Sequence, residues 1–254
     1  MSKPKKKAPA GATRLTQALR NALTQSADPR KAPAMQAYMK SEMPYHGVHT
    51  PELRALCQSL FDKHVLDSAE EWSDAVLQLW RDATHREERY CAIELAAAPQ
   101  YAQFRTLETL PIYEEMIVNG AWWDYVDVLA ANHIGELLRR YPREMGRTMR
   151  TWAKCDDNWK RRTAILCQLK FKQHTNPRLL YHNIEESLDI PNFFLRKAIG
   201  WALREYAKTE PSEVRRYVTA HAKDLHPLSR REAMKNLDVV GVVPLRRGRL
   251  YSAT

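Results

Sequence analysis

The segment Trp122-Trp123-Asp124-Tyr125-Val126-Asp127 brings two indoles, a phenol and two carboxylates together in one short stretch. The segment reads as the start of a helix, on which Trp123 and Asp127 are four residues apart and share a face. An ionised carboxylate is costly to bury without a partner, so this pair is unusual for a hydrophobic core. It suits a cationic ligand, because indole rings and carboxylates both attract positive charge.

A repeating pattern gives this segment a structural context. Small-then-apolar pairs recur every 34 to 37 residues, and at one position aspartate replaces the small residue. The pairs are Ala55-Leu56, Ala92-Ile93, Asp127-Val128, Ala164-Ile165, Ala198-Ile199 and Ala233-Met234. Helical-hairpin solenoids of the HEAT and tetratricopeptide kinds have periods of about 34–47 residues. The pattern therefore predicts an all-α, HEAT-like repeat solenoid with a concave binding face. A non-repetitive helical bundle is the alternative.

Helical spacing runs through most of the chain. Glycine is scarce and alternating β-branched runs are nearly absent, whereas Leu15, Leu19 and Leu23 form one helical stripe. Trp72, Trp80 and Trp152 are predicted to lie in the core. We divide the chain into a basic disordered arm (1–13), a repeat domain (14–237) and a C-terminal tail (238–254).

The register brings a third aromatic residue into consideration. Trp201 follows the equivalent position of a later repeat by one turn, and positions −4, 0 and +3 lie within about 60° on a helix. Trp123, Asp127 and Trp201 are therefore expected to meet on the inner surface of neighbouring repeats. Such a cage favours a cation, with roughly 0.5–2 kcal/mol from each ring. The alternative is structural: Asp127 caps a neighbouring helix or pairs with an arginine.

Composition restricts the partners. The chain has 254 residues and a formal charge of +10, which indicates a polyanionic partner. Nucleic acid is the first candidate and an anionic membrane surface the second, with a solvated basic surface as the unspecific alternative. The four cysteines have no CxxC spacing, which predicts buried thiols in a reducing compartment without zinc or disulfides. We therefore expect a cytoplasmic, nucleoid-associated monomer without a membrane span, metal or cofactor.

Three longer motifs resemble those of AlkD-type DNA alkylpurine glycosylases. They are Trp122-Trp123-Asp124-x-Val126-Asp127, Trp159-x-x-Arg162-x-Ala164-Ile165-Leu166-x-Gln168-Leu169-Lys170 and Lys197-Ala198-Ile199-Gly200-Trp201-x-Leu203-Arg204-Glu205-Tyr206-Ala207-Lys208. Shorter matches are Met35-x-x-Tyr38-Met39-Lys40, Gly47-Val48-x-Thr50-Pro51-Glu52-x-Arg54 and Pro227-Leu228-Ser229-Arg230-Arg231-Glu232-Ala233. The resemblance extends in order from about residue 15 to residue 237.

The resemblance implies a HEAT-like solenoid that binds duplex DNA and excises cationic N3- and N7-alkylated purines, such as 3-methyladenine and 7-methylguanine, without a base-flipping pocket. It assigns catalysis to Trp123, Asp127 and Trp201, and DNA binding to Arg162 and Tyr38. Arg162 points about 160° from the Trp123/Asp127 stripe in the repeat register, which places it at the rim of the site or indicates that the register drifts. A non-catalytic solenoid that binds damaged or branched DNA is the main rival, and a protein-binding scaffold is the second.

Overall fold

The computed structural model describes residues 10–235 and 237, and within these ranges the protein is all-α, with fourteen α-helices and no strand. The α-helices are α1 (Ala10–Gln25), α2 (Ala32–Met39), α3 (Thr50–Lys63), α4 (Ala69–Arg81), α5 (Arg86–Ala97), α6 (Leu110–Gly120), α7 (Trp123–Val128), α8 (Gly135–Arg140), α9 (Pro142–Lys154), α10 (Asn158–Leu166), α11 (Pro177–Glu185), α12 (Phe193–Ala207), α13 (Pro211–Ala220) and α14 (Pro227–Met234). Short 3₁₀ segments cover Pro99–Phe104, Leu107–Thr109 and Lys172–His174, and a π-helical segment covers Leu129–Ile134. The prediction of an all-α fold is confirmed.

The chain divides after Met145, within α9, into two compact units. In the first unit α1 packs against α3 and α4, and α5 packs against α3, α4 and α7. In the second unit α12 packs against α10, α13 and α14.

Helix α4 shows how local sequence produces these elements. Ser68 precedes the helix, and its hydroxyl accepts a hydrogen bond from the backbone N–H of Glu71 at 3.1 Å, which satisfies a donor that the first turn leaves open. Trp72, Val76 and Trp80 then follow at four-residue intervals and are all buried. This spacing gives α4 an apolar face, and burial of each large apolar side chain contributes roughly 1.5–3 kcal/mol.

Several predictions about the core are confirmed. Leu15, Leu19 and Leu23 are buried along α1, and Trp72, Trp80 and Trp152 are buried as expected. Three of the four cysteines (Cys57, Cys91 and Cys167) are buried free thiols as expected, whereas Cys155 is a free thiol that is only half-buried.

The six repeat positions occupy separate helices, namely α3, α5, α7, α10, α12 and α14. Ala92, Ala164, Ala198 and Ala233 are buried, which agrees with small residues at helix contacts. Ala55 is exposed. The prediction that Ala55 packs against a neighbouring helix is therefore wrong. Helix α3 buries Leu53 and Cys57 instead.

Of the two predicted boundaries of the repeat domain, only the N-terminal one has described residues on both sides. Helix α1 begins at Ala10, so residues 10–13, which we assigned to the disordered arm, are helical. The rest of the arm and the tail 238–254 lie outside the described residues. None of the described helices has the length and apolar character required to cross a bilayer.

Candidate functional site

Helix α7 carries two of the three predicted catalytic residues, Trp123 at its first position and Asp127 one turn later. Ala121 ends α6 in the left-handed conformation (φ 43°), and Trp122 returns to extended backbone, so α7 begins at Trp123. Trp123 and Asp127 are one turn apart on the same face, as predicted. Both side chains are half-buried, so neither is sealed inside the core.

The helix that contains Asp127 changes its geometry directly after that residue. Val128 ends the α-helical part, Leu129–Ile134 forms a π-helical segment, and α8 continues from Gly135. A π segment is rare and occurs often at functional sites, because the extra residue per turn re-aims the side chains around it. His133 anchors the segment through a contact of 3.1 Å between its Nε2 and the carbonyl oxygen of Ile93. Burial lowers the pKa of this imidazole.

Asp124 lies in a polar network at the first turn of α7. Nη2 of Arg86 is 2.7 and 2.6 Å from the two carboxylate oxygens of Asp124, and the Tyr90 hydroxyl donates to Oδ2 at 2.5 Å. The Tyr45 and Tyr90 hydroxyls are 3.0 Å apart. Burial, followed by the negative charge of Asp124, raises the pKa of Tyr90, so this phenol stays protonated and donates its hydrogen.

A cavity of about 530 Å³ opens beside this network. Its wall is mainly apolar and comes from α2, α3, α5, α7 and the loop between α2 and α3, with Tyr45, Tyr90 and Asp124 among its polar members. Tyr38, which we predicted to contact DNA, lines the cavity, and its side chain is 77% exposed. The structure therefore places Tyr38 and the first turn of α7 around one opening in the first unit.

The other two predicted residues lie in the second unit. Trp201 is half-buried near the middle of α12, four residues after Lys197 and three before Arg204, so the three share a face. Arg162 lies in α10 and is only 4% exposed, and its Nη1 donates to the carbonyl oxygen of Phe194. A phosphate contact by Arg162 stays a prediction.

The face of α12 that carries Lys197, Trp201 and Arg204, here called the basic face of α12, packs against the carboxylate of Glu232 in α14. This carboxylate contacts Nζ of Lys197 at 3.4 Å and Nζ of Lys235 at 3.0 Å, and it also pairs with Arg204. Three cations around one carboxylate leave an excess of positive charge beside Trp201. Such a surface suits the phosphates of a nucleic-acid backbone.

One group of possible metal ligands occurs among the described residues, namely His46, His85 and Glu88. The two imidazoles stack at 3.8 Å with planes 16° apart, so their in-plane lone pairs lie in separate, nearly parallel planes and do not converge on one point. The carboxylate of Glu88 already accepts hydrogen bonds from Arg20 and Thr84. These side chains are therefore better explained as packing and helix-capping groups.

Nothing in the local sequence singled out Arg86, Tyr90 or Tyr45 as site residues. Asp124 lies in the first turn of α7, where the helix dipole favours an acidic residue. Its partner Arg86 is 38 residues away, and no local pattern pairs them. The available signal was weak: Arg86 and Tyr90 are four residues apart, which places them on one face if the segment is helical.

Comparisons with known proteins agree with the resemblance. The family model described as DNA alkylation repair enzyme matches residues 19–237. A solved structure described as a predicted DNA alkylation repair enzyme from Enterococcus faecalis has 32% sequence identity to the chain and a TM-score of 0.73. The alignment covers 82% of this chain and 95% of that one. Among curated proteins, none matches the chain.

Proposed function

The chain belongs to the DNA alkylation repair enzyme family, and on this premise we propose that it is a monofunctional DNA glycosylase. Its proposed reaction is hydrolysis of the N-glycosidic bond of N3- and N7-alkylated purines, such as 3-methyladenine and 7-methylguanine, in duplex DNA. The observation that carries the proposal is the pairing of Trp123 and Asp127 on one face of α7, where both remain partly exposed.

The chemistry of the substrate explains why a carboxylate is the central group. An alkylated purine of this kind is already cationic and leaves as a neutral base, so it needs little help from a general acid. Positive charge instead accumulates on the deoxyribose as the glycosidic bond breaks. Asp127 offsets that charge and orients the incoming water, because a fixed anion stabilises a cationic transition state.

The two indoles have a separate role in this proposal. Trp123 and Trp201 contact the deoxyribose of the damaged nucleotide, attract its developing charge and exclude bulk water from it. Exclusion of water also strengthens the electrostatic effect of Asp127, since charges interact more strongly at low dielectric.

DNA binding is proposed to use a HEAT-like arrangement of the helices and a basic concave face, without a pocket for an extruded base. The positions of the repeat pairs in six separate helices support this arrangement, and so does the excess of basic residues. Arg162 holds a phosphate and Tyr38 contacts the DNA near the lesion. Phosphate contacts of this kind position the protein and carry no sequence preference.

The proposal is tested by Asp127→Asn, with Asp62→Asn as the matched control because Asp62 is an exposed carboxylate on α3. Purified proteins are incubated with methylated duplex DNA, and the released 7-methylguanine is measured. We expect D127N to slow release by roughly 100-fold or more, as removal of one electrostatic stabiliser does in other enzymes. Affinity for duplex DNA should stay within about twofold, and D62N should behave like the wild-type protein.

Two results contradict the proposal. If D127N releases the base as fast as the wild-type protein, Asp127 is not catalytic. If the wild-type protein binds damaged duplex tightly but releases no base, the rival function as a non-catalytic binder of damaged or branched DNA is correct.

A further inference from the structure

Arg86 is a buried arginine whose guanidinium contacts several side chains at once. It begins α5, is 6% exposed, and has its guanidinium carbon 4.2 Å from the centroid of the Tyr125 ring. Nη2 contacts both carboxylate oxygens of Asp124, and Nη1 is 3.3 Å from the Ser41 hydroxyl. A planar guanidinium satisfies several partners at once, which a lysine in this place would not do.

These contacts fix the helix that carries the proposed catalytic residues. Asp124 and Tyr125 directly follow Trp123 in the first turn of α7, and Asp127 lies less than one turn further on. Arg86 therefore contacts α7 at two consecutive residues: it forms an ion pair with Asp124, and its guanidinium packs on the ring of Tyr125. Together these two contacts fix both the position of the helix and its rotation about its own axis.

We propose that Arg86 is a positioning residue for Asp127 and Trp123, acting through Asp124; this inference rests on the proposed glycosylase function. A rotation of α7 by about 10° moves a side-chain end, about 6 Å from the helix axis, by about 1 Å. A misplacement of about 1 Å can slow a reaction by about 100-fold. Loss of the Arg86–Asp124 contact therefore slows base release without removing any group that touches DNA.

The test compares Arg86→Met in two backgrounds, wild type and D127N. The measured quantities are the single-turnover rate of 7-methylguanine release and the Kd for duplex DNA. In the wild-type background we expect R86M to slow release by about 10- to 100-fold, with Kd changed by less than about twofold. In the D127N background the further slowing should be clearly smaller than in the wild-type background, because Asp127, one of the two groups that Arg86 positions, is already absent.

Arg105→Met is the matched control. Arg105 is also buried (7% exposed), and its Nε pairs with the carboxylate of Glu136 in α8 at 2.9 Å, beyond the π segment. This variant removes a similar ion pair from the same unit without touching the first turn of α7. We expect R105M to change the release rate by less than about threefold at matched amounts of folded protein.

The double variant R86M/D124N covers the case in which R86M does not fold. It removes both charges, so no unpaired charge stays buried, and it should show the same loss of rate and the same dependence on Asp127. Equal slowing in both backgrounds, or equal slowing by R86M and R105M, overturns the positioning role and leaves a structural one. If D127N itself has no effect, the proposed function fails; if D127N is slow but R86M is not, only this inference fails.

Discussion

Gly200 of α12 lies so close to Glu232 of α14 that a Cβ added at Gly200 would be 2.5 Å from the Cβ of Glu232. The same Cβ would be 2.8 Å from the carbonyl oxygen of Ser229. The missing side chain lets α14 approach α12 closely enough for Glu232 to pair with Lys197 and Arg204 on either side of Trp201. One glycine therefore sets the position of the carboxylate that organises the basic face of α12.

Gly200→Ala should destabilise the protein. Alanine is the better helix former by roughly 0.5–1 kcal/mol, but insertion of a methyl group into a packed contact costs typically 1–3 kcal/mol. Because backbone and Cβ atoms surround the site and cannot swing away, the clash should prevail. Urea unfolding measures the change.

Gly146→Ala in α9 provides the matched comparison, because nothing lies within 4 Å of its added Cβ. This variant should gain roughly 0.5–1 kcal/mol from helix propensity alone. If G200A and G146A change stability in the same direction, the close contact between α12 and α14 does not restrict residue 200.

The pair of Arg20 and Glu88 should make stability depend on pH. Burial alone raises the pKa of Glu88, but hydrogen bonds from Arg20 and Thr84 outweigh it and hold that pKa below its ordinary value. The folded state therefore favours the charged carboxylate more than the unfolded state does. Its contribution is complete above the unfolded pKa of about 4.3 and is lost as the pH falls through the lower folded value.

Glu88→Gln should therefore destabilise the protein near neutral pH, by roughly 1–3 kcal/mol for the unsatisfied partners, and the difference from wild type should narrow as the pH falls below about 4.3. Urea unfolding at several pH values measures it. Glu94→Gln is the control, since Glu94 pairs with Arg54 at the surface, with side chains 27% and 60% exposed. Such pairs contribute at most about 1 kcal/mol. A pH-independent loss in E88Q would contradict the assignment.

Local patterns in the sequence predicted the parts of the fold that depend on local spacing. The leucine stripe of α1 and the placement of Trp123 and Asp127 on one face follow from helical periodicity alone. The exposure of Ala55 did not follow, because a small residue suits both a tight contact and an open surface. Only the neighbouring helices determine which of the two occurs.

The candidate site depends more strongly on contacts between distant residues. The pair of Arg86 and Asp124 joins two helices across 38 residues, and several other arginines in the chain were equally available as partners. The π segment at Leu129–Ile134 is also absent from any simple pattern, since its residues have ordinary helical spacing. Tyr38 was assigned by resemblance, and its place at the cavity required the packing of α2 against the loop that follows it.

Tyr38 should contribute to DNA affinity through its ring. The side chain is 77% exposed at the edge of the cavity, where an aromatic ring can stack on a base or sugar. Stacking of an aromatic side chain contributes roughly 1–3 kcal/mol per base, so Tyr38→Ala should weaken duplex binding by about fivefold or more. Fluorescence anisotropy with a labelled duplex measures the affinity. Tyr38→Phe keeps the ring and should bind like wild type; if Y38F is as weak as Y38A, the hydroxyl is the important group.

Salt dependence should separate DNA binding from a role as a protein scaffold. A protein that neutralises about six phosphates loses roughly 1,000-fold in affinity between about 50 and 200 mM salt, because bound cations are released from the DNA. The formal charge of +10 and the basic face of α12 predict a dependence of this size for undamaged duplex. Replacement of Lys197 by Gln should reduce the slope of log K against log salt by about one if that lysine holds a phosphate. The exposed Lys223, outside this face, is the matched site, and K223Q should leave the slope unchanged. An affinity that hardly responds to salt would contradict duplex DNA as the partner, since no other interaction proposed for this surface is strong enough to replace the phosphate contacts.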